Sequence, residues 1–221
     1  TLAQRNTEKL LNMVSQLLDF QKIEREAMTL QVEETEMSAF IGSAVGNFEP
    51  LAREKGISLH TQISPEGEHP IFIDRRKVSL ILDNLISNSI KYTCQHGNVW
   101  VKCSLTDGKL VLEVVDDGIG ISTQAQKKLF NRFYRAENAA NSKETGSGIG
   151  LLLTKKMTLL HKGSIDFSST EGVGTTFRIQ LPVSQSDYNK TELIQKDFHP
   201  KKEVQQEKQP DEAGKIKILL V

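Results

Sequence analysis

The stretch Val99-Trp100-Val101-Lys102-Cys103-Ser104-Leu105-Thr106-Asp107-Gly108-Lys109-Leu110-Val111-Leu112-Glu113-Val114-Val115-Asp116-Asp117-Gly118-Ile119-Gly120 decides the fold class. Val99–Leu105 and Leu110–Val115 carry an apolar residue at every second position, and Asp107-Gly108 between them is a tight-turn pair. The two runs therefore predict an antiparallel hairpin. A second hairpin is predicted from Ser164–Ser168 and Thr175–Leu181 around Gly172 and Gly174. Hairpins interspersed with helices favour an α+β fold over the strict strand–helix–strand alternation of a doubly wound parallel sheet.

Outward from the hairpin, helical periodicity takes over. Arg76–Tyr92 places Val78, Ile81, Leu82, Leu85, Ile86 and Ile90 at spacings of three and four, an amphipathic helix. Further upstream, Ile71–Asp74 and Ile57–Ile63 read as strands. Ser38 is placed to N-cap a helix running to Lys55 and stopped by Gly56. Met28–Val32 reads as a short strand. Downstream, Ser122 is placed to cap a short helix through Phe130, and Ile149–His161 is helical. Residues 136–147 are Ala, Asn, Ser, Lys and Gly and read as a loop.

The two ends of the chain differ from this middle. Residues 1–26 read as one helix, with Leu2, Leu10, Met13, Leu17 and Phe20 on one stripe and Leu11, Val14 and Leu18 widening it. So wide an apolar face needs a partner, either in a bundle or dimer seam or within its own domain. Residues 27–183 form the compact domain. Residues 184–214 are polar and read as a linker. Lys215–Val221 turns apolar again and reads as the first strand of a further domain.

Composition excludes several classes. Lys+Arg and Asp+Glu are both 28, so nothing favours direct binding of nucleic acid or an anionic membrane. Cys94 and Cys103 lack metal spacing and read as reduced thiols of a cytosolic protein. No apolar run approaches a membrane span, so any membrane anchor is expected elsewhere in a longer parent chain.

Four clusters carry chemistry. On the helix, Asn84 and Asn88 share a face four residues apart, with Lys91 three further on. An amide oxygen suits a hard cation such as Mg²⁺ and a lysine suits phosphate, although a solvated helix face would look similar. Asp116 ends an apolar strand before Gly118 and Gly120, so its carboxylate points partly inward and needs donors; an exocyclic amine is one. Gly146-Ser147-Gly148-Ile149-Gly150 opens a helix, where backbone N–H groups bind phosphate. It is neither a Walker A loop, having no Lys-Ser/Thr pair, nor a dinucleotide fingerprint. Gly172-Val173-Gly174-Thr175-Thr176-Phe177 forms a turn from which Thr175 or Thr176 is placed to bring a hydroxyl near Asp116.

In this order the clusters resemble the GHKL ATPase/kinase superfamily, in its sensor histidine kinase branch, over about residues 1–183. Asn84–Tyr92 looks like the N box, Asp116–Gly120 the G1 box, Leu129–Arg135 the F box, Gly146–Gly150 the G2 box and Gly172–Phe177 the G3 box. The resemblance implies a two-layer α/β sandwich of the Bergerat type with a mixed sheet, preceded by one long helix. It implies ATP and Mg²⁺ as ligands. Asn88 would hold the metal with Asn84 in support, Lys91 would contact phosphate, and Tyr92 would lie beside the nucleotide. Asp116 would accept from the adenine amine in a pocket shaped by Gly118, Gly120 and a G3 threonine, taken as Thr175. Arg132 and Arg135 would stand at the triphosphate side, and Gly146, Gly148 and Gly150 at the phosphates. Ile90, Ile121, Phe130, Phe133, Leu151 and Phe177 are expected to pack rather than touch ATP.

The same resemblance makes the helix 1–26 the second helix of a dimerisation and phosphotransfer hairpin. It makes the final residues the start of a response-regulator receiver domain in a hybrid kinase. Partners are then a phosphoacceptor helix of the same or a partner protomer, a receiver domain, and a second copy of the parent, which is expected to be a bacterial sensor anchored in the inner membrane with this part in the cytoplasm. None of His60, His69, His96, His161 and His199 is followed by an acceptor motif, and all five read as surface histidines. Hydrolytic members of the superfamily carry Glu where this chain has Asn84, and a neutral amide is a poor general base for water. A hydrolytic ATPase and a non-enzymatic nucleotide-binding scaffold are the competing classes.

Overall fold

A computed structural model describes residues 28–64, 70–136 and 147–194, together with the helical positions Thr7, Leu11, Val14, Leu18 and Gln21 of the N-terminal segment. Those five side chains are exposed.

The elements are β1 (Glu33–Thr35), α1 (Met37–Gly46), α2 (Glu49–Glu54), β2 (Ser58–Ile63), β3 (Ile71–Ile73), α3 (Arg75–Tyr92), β4 (Asn98–Thr106), β5 (Lys109–Asp116), α4 (Thr123–Gln126), α5 (Gly150–Leu160), β6 (Ser164–Thr170) and β7 (Gly174–Pro182), followed by a 3₁₀ turn at Gln185–Asp187. Five strands form one sheet in the order β2-β4-β5-β7-β6, and β1 pairs with β3 in a separate two-stranded ribbon. The sheet is mixed: β2 runs parallel to β4, and every other pair is antiparallel. Both hairpins read from the sequence are present, with Leu105 opposite Leu110 and Thr170 opposite Gly174.

Strand alternation sorts the two faces. Val99, Val101 and Cys103 of β4, Leu110, Leu112 and Val114 of β5, and Phe177, Ile179 and Leu181 of β7 point into one core. The apolar stripe of α3, Ile81, Leu82, Leu85, Ile86 and Ile90, meets them there, as do Leu153 and Met157 of α5. Each such side chain contributes roughly 1.5–3 kcal/mol by leaving water. The opposite face is mixed, with Val111 and Val115 beside Glu113, which pairs with Arg178 at 3.6 Å, and with His60 stacked on Trp100. The result is the two-layer α+β sandwich that the sequence predicts.

Four local expectations are corrected. The single helix Ser38–Lys55 is two helices, because Pro50 cannot continue the first and instead opens α2. Its cap is Glu36, not Ser38: the two carboxylate oxygens accept the N–H groups of Ser38 and Ala39 at 2.9 and 2.6 Å. The first strand begins at Glu33 rather than Met28, since its register is set by pairing with Ile71–Ile73. The helix from Ser122 stops at Gln126 and continues as turns with bonds of the i−3 type.

The folded domain also runs past 183. Val32 and Leu193 form a parallel bridge, with Val32 N–H donating to Glu192 O at 2.7 Å and Ile194 N–H donating to Val32 O at 2.8 Å. Tyr188 is buried with Leu30 and Val32 in a small second core, and its hydroxyl donates to Pro182 O at 2.7 Å. Residues 184–194, read as the start of a linker, therefore pack on the domain, because polar composition hides one anchoring aromatic. The expected loop at 137–146, the linker at 195–214 and the terminal strand at 215–221 lie outside the described residues.

His161 is a further correction, being fully buried rather than on the surface. Its Nε2 accepts the Asp74 N–H at 3.3 Å, and its Nδ1 lies 3.0 Å from Met157 O. One acceptor and one donor nitrogen is the neutral ring, and burial pushes its pKa below the ordinary value. Asp74 caps α3 through Lys77 N–H and also accepts from Gln31 N–H and the Lys77 ammonium. This polar knot joins the entry to the domain, the start of α3 and the end of α5.

Candidate nucleotide site

The site grows from the end of β5. Successive residues of a strand face opposite ways, so Asp116 turns into the core and Asp117 turns outward. Asp117 is tied to the start of β4, accepting from Asn98 N–H at 2.7 Å and Asn98 Nδ2 at 2.9 Å. Asp116 is buried and meets three donors. Its Oδ1 accepts the N–H of Gly118 at 3.1 Å and of Thr175 at 3.2 Å, and its Oδ2 accepts the Ser89 hydroxyl at 2.9 Å. Burial pushes the carboxyl up from its ordinary value. The Ser89 hydroxyl and the two N–H groups pull it back, while the Asp117 charge adds to the rise.

These bonds bring three separate stretches of sequence together: α3 through Ser89, the β5 loop through Gly118, and β7 through Thr175. The loop is seated on α3 by backbone alone. Ile119 N–H donates to Tyr92 O at 3.0 Å, and a Cβ on Gly118 would fall 2.5 Å from that same oxygen. Only glycine permits this approach. Gly120 follows where the loop meets Thr170.

Along α3, Asn84 and Asn88 are both half-buried, one turn apart. Asn84 Nδ2 donates to Leu80 O at 3.0 Å, and its Oδ1 lies against Gly150, the first residue of α5. Lys91 and Tyr92 end the helix, with the ammonium 4.8 Å from the ring centroid, a cation–π distance. Arg132 is exposed and Arg135 half-buried on the turns after α4. Gly148 has φ +69, and a Cβ there would lie 2.8 Å from Phe133 Cα, so the turn before α5 rests directly on the turn after α4. Gly146 lies outside the described residues.

The structure thus brings Asp116, Gly118, Thr175 and Tyr92 into one cluster, and Asn84 against Gly150. It departs from expectation at two residues. The Thr175 hydroxyl bonds Ser169 Oγ at 2.9 Å, so that threonine reaches Asp116 through its backbone N–H instead. Phe133, expected to pack, is 67% exposed. Ile90 and Phe177 are buried as expected, and Phe130 packs on Phe167.

Two site residues escape a reading of the motifs, Ser89 and Ser169. Ser169 Oγ accepts Ile121 N–H at 2.9 Å and lies 2.9 Å from Gly174 O, binding the G1-type loop to the β6–β7 turn. Both had a signal. Ser89 sits on the stripe of Leu82, Ile86 and Ile90, and Ser169 continues the inward alternation of Ile165 and Phe167. A polar residue in an apolar period is a buried polar group that needs partners.

Among the described residues, no group of three or more His, Cys, Asp or Glu is placed to hold a metal ion, and no helix is long and apolar enough to cross a membrane.

Comparison with known proteins identifies the family and the fold. The family model described as histidine kinase-, DNA gyrase B-, and HSP90-like ATPase matches residues 73–185. Sensor histidine kinase WalK of Bacillus subtilis is 31% identical over 186 residues, covering 83% of this chain and 30% of that protein. The autoinducer 2 sensor kinase/phosphatase LuxQ of Vibrio cholerae is 33% identical over 180 residues, 80% of this chain and 21% of its own. The chain thus spans less than a third of the length of these relatives. In fold it is similar to the Acinetobacter baumannii histidine kinase AdeS, at TM-score 0.67 and 22% identity over 82% of each chain. It is also similar to full-length ShkA in complex with AMPPNP, at TM-score 0.71 and 24% identity over 81% of this chain and 37% of the other.

Proposed function

This chain belongs to the family of histidine kinase-, DNA gyrase B- and HSP90-like ATPases, and from that premise we propose that its folded domain binds Mg²⁺–ATP as the catalytic domain of a sensor histidine kinase. The observation that carries the reading is Asp116. It is a buried carboxylate whose Oδ1 is filled by two backbone donors while Oδ2 keeps acceptor capacity beside Ser89. An exocyclic amine of a purine matches that acceptor.

Bound ATP would supply the γ-phosphoryl group for transfer to a histidine. The residues of this chain orient it. Asp116 takes the base, with Gly118 and Gly120 letting the backbone close on it and the Thr175 N–H fixing the carboxylate. Asn88 offers a hard amide oxygen to Mg²⁺, supported by Asn84. Lys91, Arg132 and Arg135 supply positive charge towards the phosphates. Gly146, Gly148 and Gly150 lead into α5, whose first N–H groups suit phosphate oxygen. Asn84 is neutral and cannot serve as a general base for water, which supports phosphotransfer over hydrolysis.

The acceptor is a histidine outside this chain. His161 is buried and bonded at both nitrogens, and His60 is stacked on Trp100 in the outer sheet face. In the parent, residues 1–26 would form half of a dimerising hairpin and residues 215–221 the start of a receiver domain. A receiver is the partner, and the parent is a homodimeric, membrane-anchored bacterial sensor with this part in the cytoplasm.

A calorimetric titration of the chain with Mg²⁺–ATP tests the pocket. Binding is expected in the wild type and at least about tenfold weaker in Asp116→Asn, the loss typical of a charged hydrogen bond. Unchanged binding in that variant would refute the assignment. Sustained phosphate release from this chain alone would favour a hydrolytic ATPase.

A further inference from the structure

On the premise that Asp116 reads the base of ATP, we infer that Ser89 is the specificity-determining partner of that carboxylate, keeping the recognition point acceptor-only so that a 6-amino purine is taken and a 6-oxo purine refused.

The geometry is closed on three sides. Asp116 Oδ1 accepts two backbone N–H groups, from Gly118 and Thr175, and has no further lone pair. Oδ2 accepts the single hydroxyl proton of Ser89 at 2.9 Å and keeps one lone pair. With its proton committed, Ser89 Oγ shows the ligand only acceptors. The Thr175 hydroxyl is engaged with Ser169, so it supplies no free donor next to the carboxylate. An amine at this point meets acceptors, whereas a carbonyl meets lone pairs and is left unsatisfied.

That discrimination exists only while Asp116 is ionised. A protonated carboxyl would donate to a carbonyl and erase the difference. Burial favours the protonated form, and the charge of Asp117, the charged neighbour acting on it, pushes the same way. The Ser89 hydroxyl is the foremost influence in the opposite direction, ahead of the two N–H groups. Neither β4 nor β7 places a charged group against the carboxylate, since Val99 and Thr175 are the residues opposite it in the sheet. Ser89 is itself 2% exposed, so water is poorly placed to replace its hydroxyl.

The experiment compares ATP with inosine triphosphate, which carries a carbonyl in place of the amine. Dissociation constants for both are measured with Mg²⁺ from pH 5.5 to 8.5 on the 221-residue chain, for wild type, Ser89→Ala, Ser89→Cys and Asp116→Asn. General loosening of the pocket weakens both nucleotides alike, so the ratio isolates base recognition. Ser89→Ala is expected to lower the ATP preference about tenfold, the worth of one buried hydrogen bond to a charge. Its ATP affinity should also begin to fall at a higher pH than in wild type. Ser89→Cys keeps the shape, slightly enlarged, with a weak donor and is expected to lie between them, giving a second reading should the alanine variant fold poorly. A preference and pH profile unchanged in both serine variants, with ATP binding weakened in Asp116→Asn, would overturn the role of Ser89 alone. ATP binding undiminished in Asp116→Asn would overturn the pocket reading and this role together.

Discussion

The Oδ1 atom of Asn84 occupies the space that a side chain on Gly150 would need, 2.7 Å from where a Cβ would stand. Its partner nitrogen is bonded to Leu80 O, so the amide cannot swing away without losing that bond. Alanine normally stabilises a helix relative to glycine by about 1 kcal/mol. Here Gly150→Ala is expected to destabilise by roughly 1–3 kcal/mol in urea unfolding, as overpacking does. Asn84→Ala removes the obstructing atom, so the double variant should recover most of the loss. Additive single effects in that cycle would show that the two residues do not meet.

Asp116→Asn should separate stability from binding. The folded-state pKa of Asp116 is raised, so the fold favours the protonated form. Stability from this group is full below the unfolded pKa and is lost as pH rises through the folded one. An asparagine is neutral at every pH. Its oxygen still suits the Gly118 and Thr175 N–H groups, and its nitrogen suits Ser89 Oγ. The variant is therefore expected to melt at a higher temperature than wild type at pH 7, with the gap closing in acid, while ATP binding weakens. A variant that is less stable than wild type at neutral pH would contradict the desolvated carboxylate.

His161 predicts the opposite slope. Its pKa is lowered from 6.5 by burial, so the unfolded chain protonates first as pH falls. Stability is full above the unfolded pKa and declines as pH drops from there towards the folded value. His161→Gln retains one acceptor and one donor for Asp74 N–H and Met157 O but not the ring geometry. It is expected to cost about 1–3 kcal/mol at pH 7.5, from imperfectly satisfied buried groups, and to flatten the decline below pH 6.5. Urea unfolding at half-unit steps from pH 5 to 8 reads both. An unaltered acid slope in the variant would place the titration elsewhere.

Much of this was legible in the chain because periodicity and turn chemistry agree. The Asp107-Gly108 turn and the alternation on either side yield β4 and β5 in register, and the stripe of α3 faces them. The ordered glycine clusters located Asp116. What stayed hidden depends on partners far apart in sequence. Ser89 and Asp116 lie 27 residues apart, and Thr175 and Asp116 lie 59 apart. Nothing local tells whether a threonine offers its hydroxyl or its N–H. His161 looked superficial because it follows a helix, yet the cap of α3 closes over it. The 183 boundary was misplaced for a related reason, since Tyr188 anchors a segment whose composition is otherwise that of a linker.

That segment supports a last prediction. Residues 184–194 hold to the domain at three points: the Val32–Leu193 bridge, the buried Tyr188, and Lys162. The Lys162 ammonium bonds Glu192 and Asp187 O at 2.8 Å each and stands 5.2 Å from the Tyr188 ring centroid. The Lys162–Glu192 pair is exposed enough for solvent to screen it, so Glu192→Gln is expected to change stability by less than about 1 kcal/mol. Tyr188→Ala removes the one large buried side chain and should open the segment. Because Leu30, Val32 and Tyr188 form a core separate from that under the main sheet, opening is expected to be local. In native-state hydrogen exchange the amides of Val32 and Ile194 should lose protection in Tyr188→Ala, roughly tenfold or more, while those of α3 keep theirs. Equal loss across α3 would mean that the small core and the main core unfold as one unit.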